Sequence, residues 1–138
     1  MTVDTIKRGI INGIRTTWEL AEIIFPVYVL VTILRYTPLF PYLSQILTPV
    51  LRVFGLPGEA SIALVLGAFV NVYAAIGAMT ALSLSIKEVT ILGTMVAICH
   101  SLINETAVTK KVGVPITSIV LTRVTIAAFM GIILNVIM

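Results

Sequence analysis

The chain has 138 residues, 59% of them hydrophobic and 11% charged, with a formal net charge of +3. That balance cannot cover its own apolar surface in water, so composition excludes an ordinary soluble domain and leaves an integral membrane protein. The small, scattered positive charge forms no basic patch with interleaved aromatics, which argues against a nucleic-acid polymer as partner.

Apolar runs of about 20 residues fit helices that cross a bilayer. No segment alternates with period two as barrel strands do, so the expected fold class is an all-α integral membrane protein. One cysteine, Cys99, excludes an internal disulfide. No short apolar core followed by a small-residue cleavage site stands at the N-terminus, so no secretory leader is expected.

Residues 1–16 place Ile6, Ile10, Ile11 and Ile14 at helical spacing, with Lys7, Arg8 and Arg15 between them. This pattern fits an amphipathic helix on a membrane surface, or an extension of the first span. That span is expected at 17–36, with Trp18 and Tyr36 at its two interfaces. Glu19 and Glu22 share a face near its start, and Pro26 removes one backbone hydrogen bond within it. Thr37-Pro38-Leu39-Phe40-Pro41 reads as a break. The segment at 40–54 is too short and too polar to span, and fits the interface.

Residues 57–84 allow two readings. Gly67, Asn71, Tyr73, Gly77 and several alanines suit one span packed closely on a neighbour. They suit equally a re-entrant hairpin with its tip near Asn71–Tyr73, enclosed by protein or a wet cavity. Loop charges lean to the hairpin. With a cytoplasmic N-terminus, it puts Lys7, Arg8, Arg15, Lys110 and Lys111 inside, and Arg35, Arg52 and Lys87 outside. A broken span is expected at 87–110, because the apolar run from Val89 stops at Ile103, short of a full crossing. A last span is expected at 114–138 and carries Arg123, which is costly in a membrane unless it faces protein or water, or snorkels to the interface.

The chain's one histidine lies in Cys99-His100-Ser101-Leu102-Ile103-Asn104-Glu105. On a helix, His100 and Asn104 are four apart, as are Ser101 and Glu105, giving two adjacent polar stripes. These groups offer donors and acceptors suited to a base, a sugar or a hydrated cation. His100, Ser101, Asn104 and Glu105, with Asn71 and Tyr73, are the candidate substrate-binding residues. The plainer reading has Asn104 and Glu105 capping a helix end and His100 bonded to a backbone carbonyl. Cys99 and His100 point about 100° apart on a helix, so a closed metal site needs ligands from elsewhere. No orienting third group completes a catalytic pair. No catalytic or metal residue is assigned, and no enzyme activity is expected.

Gly55-Leu56-Pro57, leading to Gly67 and then Asn71-Val72-Tyr73-Ala74-Ala75, resembles a hairpin of concentrative nucleoside transporters. There a Gly-Ile-Pro start leads to an Asn-Glu-Phe-Val-Ala-Tyr motif; this chain departs at Val72, where that motif has a glutamate. Cys99 to Glu105 is similar to the corresponding region of small spore-maturation-like membrane proteins. The chain thus resembles, over roughly residues 15–115, the nucleoside-recognition or Gate domain family, which also covers parts of ferrous-iron transporter B. The resemblance implies half of an inverted-repeat transporter fold. It implies a homo-oligomer, an antiparallel dimer first, in the inner membrane of a prokaryotic cell. Such a unit would move a small polar solute, nucleosides first, by alternating access, with no cofactor and with H+ or Na+ as coupling ion. The alternatives are a divalent-metal pathway and a non-transporting scaffold or regulator.

Overall fold

The structure, a computed structural model, describes residues 2–103, 105, 106, 109, 113 and 115–138. Six helices account for most of it: α1 (Thr2–Arg35), α2 (Leu39–Leu51), α3 (Ala60–Phe69), α4 (Val72–Ala81), α5 (Ile86–Ile98) and α6 (Ile116–Ile137). There is no strand among the described residues. A short 3-10 turn, Arg52–Phe54, follows α2 and ends at Gly55, whose φ of 69° is the left-handed conformation that glycine adopts freely.

α1 runs unbroken through the boundary expected at residues 16 and 17. The covered stripe begins at Leu20 and continues through Ile24, Val27, Val31 and Leu34, at spacings of three and four. N-terminal to it, residues 3–19 are exposed on every face. The break expected over residues 37–41 is shorter, because α2 already includes Pro41 in its first turn. Proline is tolerated there, since its missing N–H would have no helical acceptor.

α3 and α4 form a hairpin of two ten-residue helices joined through Val70 and Asn71. Small residues let the two arms and α1 approach closely. Ala60, Ala63, Ala74, Ala75 and Ala78 are fully buried. A Cβ on Gly77 would come within 2.9 Å of the Ile24 carbonyl oxygen, so this glycine sets how closely α4 approaches α1.

α5 buries Ile91, Leu92, Met95 and Val96 against the hairpin and α6. It starts with a capping box: Ser85 Oγ accepts from the Glu88 N–H at 3.3 Å, and the Ser85 N–H donates to Glu88 Oε2 at 2.6 Å. Nearby, cations meet the carbonyl ends of two helices. Arg35 Nη1 donates to the Ala81 carbonyl at 2.7 Å, and Lys87 Nζ to the Asn135 carbonyl at 2.9 Å. Asn135 Nδ2 also donates to the Val53 carbonyl at 3.3 Å. This polar belt ties together one end of the fold.

From that belt the short helices run inward. At 1.5 Å per residue, α3 and α4 are each about 15 Å long and α5 about 20 Å, against about 33 Å for α6. α1 and α6 are long and apolar enough to cross a membrane. A soluble protein would bury such helices. Here Phe25, Leu30, Ile33, Leu121, Phe129 and Val136 stand exposed, which is the surface lipid covers. The fold is an all-α membrane fold.

Candidate functional site

The centre of the site is the end of α5. The helix stops at Ile98, and Cys99 leaves helical geometry at φ −121°, ψ 34°. Ser101 takes a φ of 49°, rare for a residue with a Cβ. Its N–H leaves the helical pattern and donates to the Gly67 carbonyl on the hairpin at 2.9 Å. Helical geometry resumes at Leu102, and the Glu105 N–H donates to the Ser101 carbonyl at 3.0 Å. The break therefore follows from tertiary contacts, because Cys99-His100-Ser101 contains no proline or glycine.

Arg123 on α6 holds both sides of that break. Its Nε donates to the Ile98 carbonyl at 2.7 Å, satisfying an acceptor exposed by the helix end. Its Nη1 pairs with Glu105 Oε2. Glu105 Oε1 lies 3.7 Å from His100 Nε2, and His100 Nδ1 lies 3.0 Å from the Ala97 carbonyl oxygen. The side chains are neither sealed in nor fully wet: Arg123 is 21% exposed, His100 35% and Glu105 40%. From Asn135 in the polar belt, Arg123 is about 18 Å along the axis of α6, near half a membrane's thickness.

The sequence candidates thus fall into three groups. His100 and Glu105 meet at the break, and Ser101 contributes its backbone N–H to the hairpin. Asn71 lies at the hairpin tip, where its Oδ1 accepts from the Ala74 N–H at 2.8 Å and caps α4. Tyr73 follows on the first turn of α4, partly exposed. Asn104 lies outside the described residues, as do Lys110 and Lys111. Arg123 was absent from the candidate set, although its cost in an apolar span was the signal that points to it. Glu19 and Glu22 pair on their own helix, with Arg15 Nε at 3.0 Å and Trp18 Nε1 at 2.6 Å.

Beside the break, a crevice of about 370 Å³ opens between α2, α3, α5 and α6. Phe69, Met95, Cys99, Leu102 and Val124 are among its walls, so it shares Cys99 and Leu102 with the break. Apolar walls next to a few fixed polar groups are the usual make-up of a small-molecule site, and the volume falls within the usual range. Among the described residues, no group of three or more His, Cys, Asp or Glu side chains could hold a metal ion.

A family model described as Gate, nucleoside recognition, matches residues 17–138. Over 129 residues the chain is 47% identical to the uncharacterized membrane protein YvoD of Bacillus subtilis (strain 168). That match covers 94% of this chain but 41% of the relative. No solved structure matches.

Proposed function

The chain belongs to the Gate, or nucleoside recognition, family, and on that premise we propose that it is half of a membrane transporter for a small polar solute, with nucleosides first. The observation that carries this reading is a break after α5 at which the hairpin, through the Gly67 carbonyl, and Arg123 of α6, through Ile98 and Glu105, both meet the chain. Transporters built from paired repeats bind solutes at such places, where backbone and polar side chains are freed from helical pairing.

A half-exposed Arg–Glu–His group cannot face lipid without a large cost. It requires a second unit, or the water-filled path between two units. The partner in this reading is a second copy in the opposite orientation, so that two hairpins and two broken helices enclose one site. More than half of the bacterial relative lies beyond the match, which is room for another unit of this size. The relative's bacterial source favours the inner membrane of a prokaryotic cell. Solute binds between the units, and alternating access carries it across without covalent chemistry.

A thermal-shift screen of purified protein against uridine, adenosine and inosine tests the binding step. Nucleosides are expected to raise the unfolding temperature of the wild type and to leave Glu105→Gln unmoved. Stabilisation by divalent metals alone would replace this reading with the cation pathway.

A further inference from the structure

We infer that a recess at the polar-belt end of the fold binds the phosphoethanolamine headgroup of a phospholipid, with its phosphate on Arg52 and its ammonium on Glu88. The inference rests on the membrane fold and is independent of transport.

The recess has a volume of about 480 Å³ and lies between α2, the loop that follows it and the start of α5. Its walls include Ser44, Thr48 and Arg52 on one side, Gly58 of the loop, and Glu88 on the other. Glycine brings the loop close to α2, because a Cβ on Gly58 would overlap the Ser44 carbonyl oxygen and Thr48 Oγ1. Gly55, also in the wall, packs on the Asn135 side chain of the polar belt. Asn135 is on the last turn of α6, so the recess lies where a span meets lipid headgroups. Along α6 that is about 18 Å from Arg123, which separates the recess from the break.

Two opposite charges line the recess without meeting. The ion pairs among the described residues are Arg15–Glu19, His100–Glu105 and Arg123–Glu105, and neither Arg52 nor Glu88 belongs to one. Glu88 Oε2 is committed to the cap of α5, accepting from the Ser85 N–H at 2.6 Å and from Ser85 Oγ at 2.7 Å. The cap fixes the carboxylate and leaves Oε1 outside it. Arg52 is exposed, and its guanidinium offers a rigid fork of N–H donors.

A ligand for this recess carries both an anion and a cation. A phosphodiester joined through two carbons to a primary ammonium meets that need. The phosphate takes parallel charge-assisted bonds from the Arg52 fork. The ammonium has three N–H donors to offer Glu88 Oε1. A trimethylammonium headgroup has no N–H to give, and a glycerol headgroup has no positive charge to set against Glu88. The acyl chains have a place as well. Ile46, Val50 and Val53 stand exposed on the same segment as Arg52, an apolar surface beside the recess. A lipid covers that surface while it fills the recess, whereas a soluble zwitterion fills the recess alone.

Native mass spectrometry of the delipidated full chain in detergent tests this. Phosphatidylethanolamine, phosphatidylcholine and phosphatidylglycerol with the same acyl chains are added at equal concentration. The wild type is expected to retain phosphatidylethanolamine several-fold more than either of the others. Arg52→Gln should lower that retention several-fold, and Arg52→Lys should keep part of it. Glu88→Gln should bring phosphatidylethanolamine down to the level of phosphatidylglycerol. Glutamine still completes the cap of α5, so this variant is expected to unfold near the wild type when lipid-free. Equal retention of the three lipids by the wild type, or unchanged phosphatidylethanolamine retention in either glutamine variant, would overturn the proposal. Glycerophosphoethanolamine, the same headgroup without tails, is expected not to displace the lipid at equal concentration. Displacement would assign the recess to a soluble zwitterion and overturn the lipid.

Discussion

Arg123 on α6 and Glu105 form an ion pair beside the break that ends α5. The same guanidinium caps the helix before the break, at Ile98, so one side chain fixes the position of both halves. Arg123→Leu leaves the carbonyl and the carboxylate without that partner. It is expected to lower stability by about 1–3 kcal/mol, the lower part of that range being favoured by the exposure of Glu105. Arg123→Lys keeps the charge but not the fork and should recover only part of the loss. Thermal unfolding in detergent measures both; a leucine variant as stable as wild type would show that the pair does not hold the break.

Close approach through glycine gives a second set of outcomes. A Cβ at Gly77 meets the Ile24 carbonyl oxygen at 2.9 Å, and backbone within a helix cannot move aside as a side chain can. At Gly67 the nearest atoms are Val96 Cγ1 at 2.8 Å and Ala75 Cβ at 3.1 Å. Alanine at either position is expected to cost about 1–3 kcal/mol. Gly93 in α5 has nothing within 4 Å of its added Cβ. Gly93→Ala should therefore stabilise by about 0.5–1 kcal/mol, through helix propensity alone. The Gly93 variant should unfold above the wild type, and the Gly77 and Gly67 variants below it.

Ser101 pays conformational strain to reach the Gly67 carbonyl. Ser101→Gly is expected to leave stability equal or slightly higher, while Ser101→Val should lose about 1–2 kcal/mol, because a β-branched residue resists positive φ. Hydrogen exchange at residue 101 gives a second readout: protection in the glycine variant should persist if the bond to Gly67 is what holds the segment.

Composition and periodicity made the helices legible, and with them the all-α membrane class. They could not decide between a span and a hairpin at residues 57–84. The alanines and glycines there pack equally well against a sequence-distant helix or against their own chain. The described fold has a turn at Val70–Asn71, with Asn71 closing the next helix as a cap. The length deficit after Val89 led to the expectation of a broken span; the described helix stops at Ile98, a position that could not be read from the sequence. Nothing in Cys99-His100-Ser101 stops a helix by itself; Gly67 and Arg123 do so from 34 and 22 residues away, counted from residue 101. Arg123 was conspicuous in the sequence, but its partner could not be read there because spacing along one helix says nothing of the neighbouring helix.

Orientation gives a further test. On a Cys99→Ala background, Lys7→Cys and Lys110→Cys are labelled with a membrane-impermeant maleimide, from one side of the membrane and then the other. The antiparallel dimer predicts that each position is labelled in part from both sides. A single fixed orientation would require a different second unit.

Solute movement is the central claim, and uptake tests it directly. Wild-type protein and Glu105→Gln are reconstituted into liposomes at equal density, and initial uptake of labelled uridine is followed against protein-free liposomes. The account predicts saturable uptake by the wild type that falls at least about tenfold in the variant, with both proteins folded by their unfolding curves. Uptake equal in the two proteins would contradict the site, and wild-type uptake no faster than empty liposomes, for uridine, adenosine and inosine alike, would contradict the transporter.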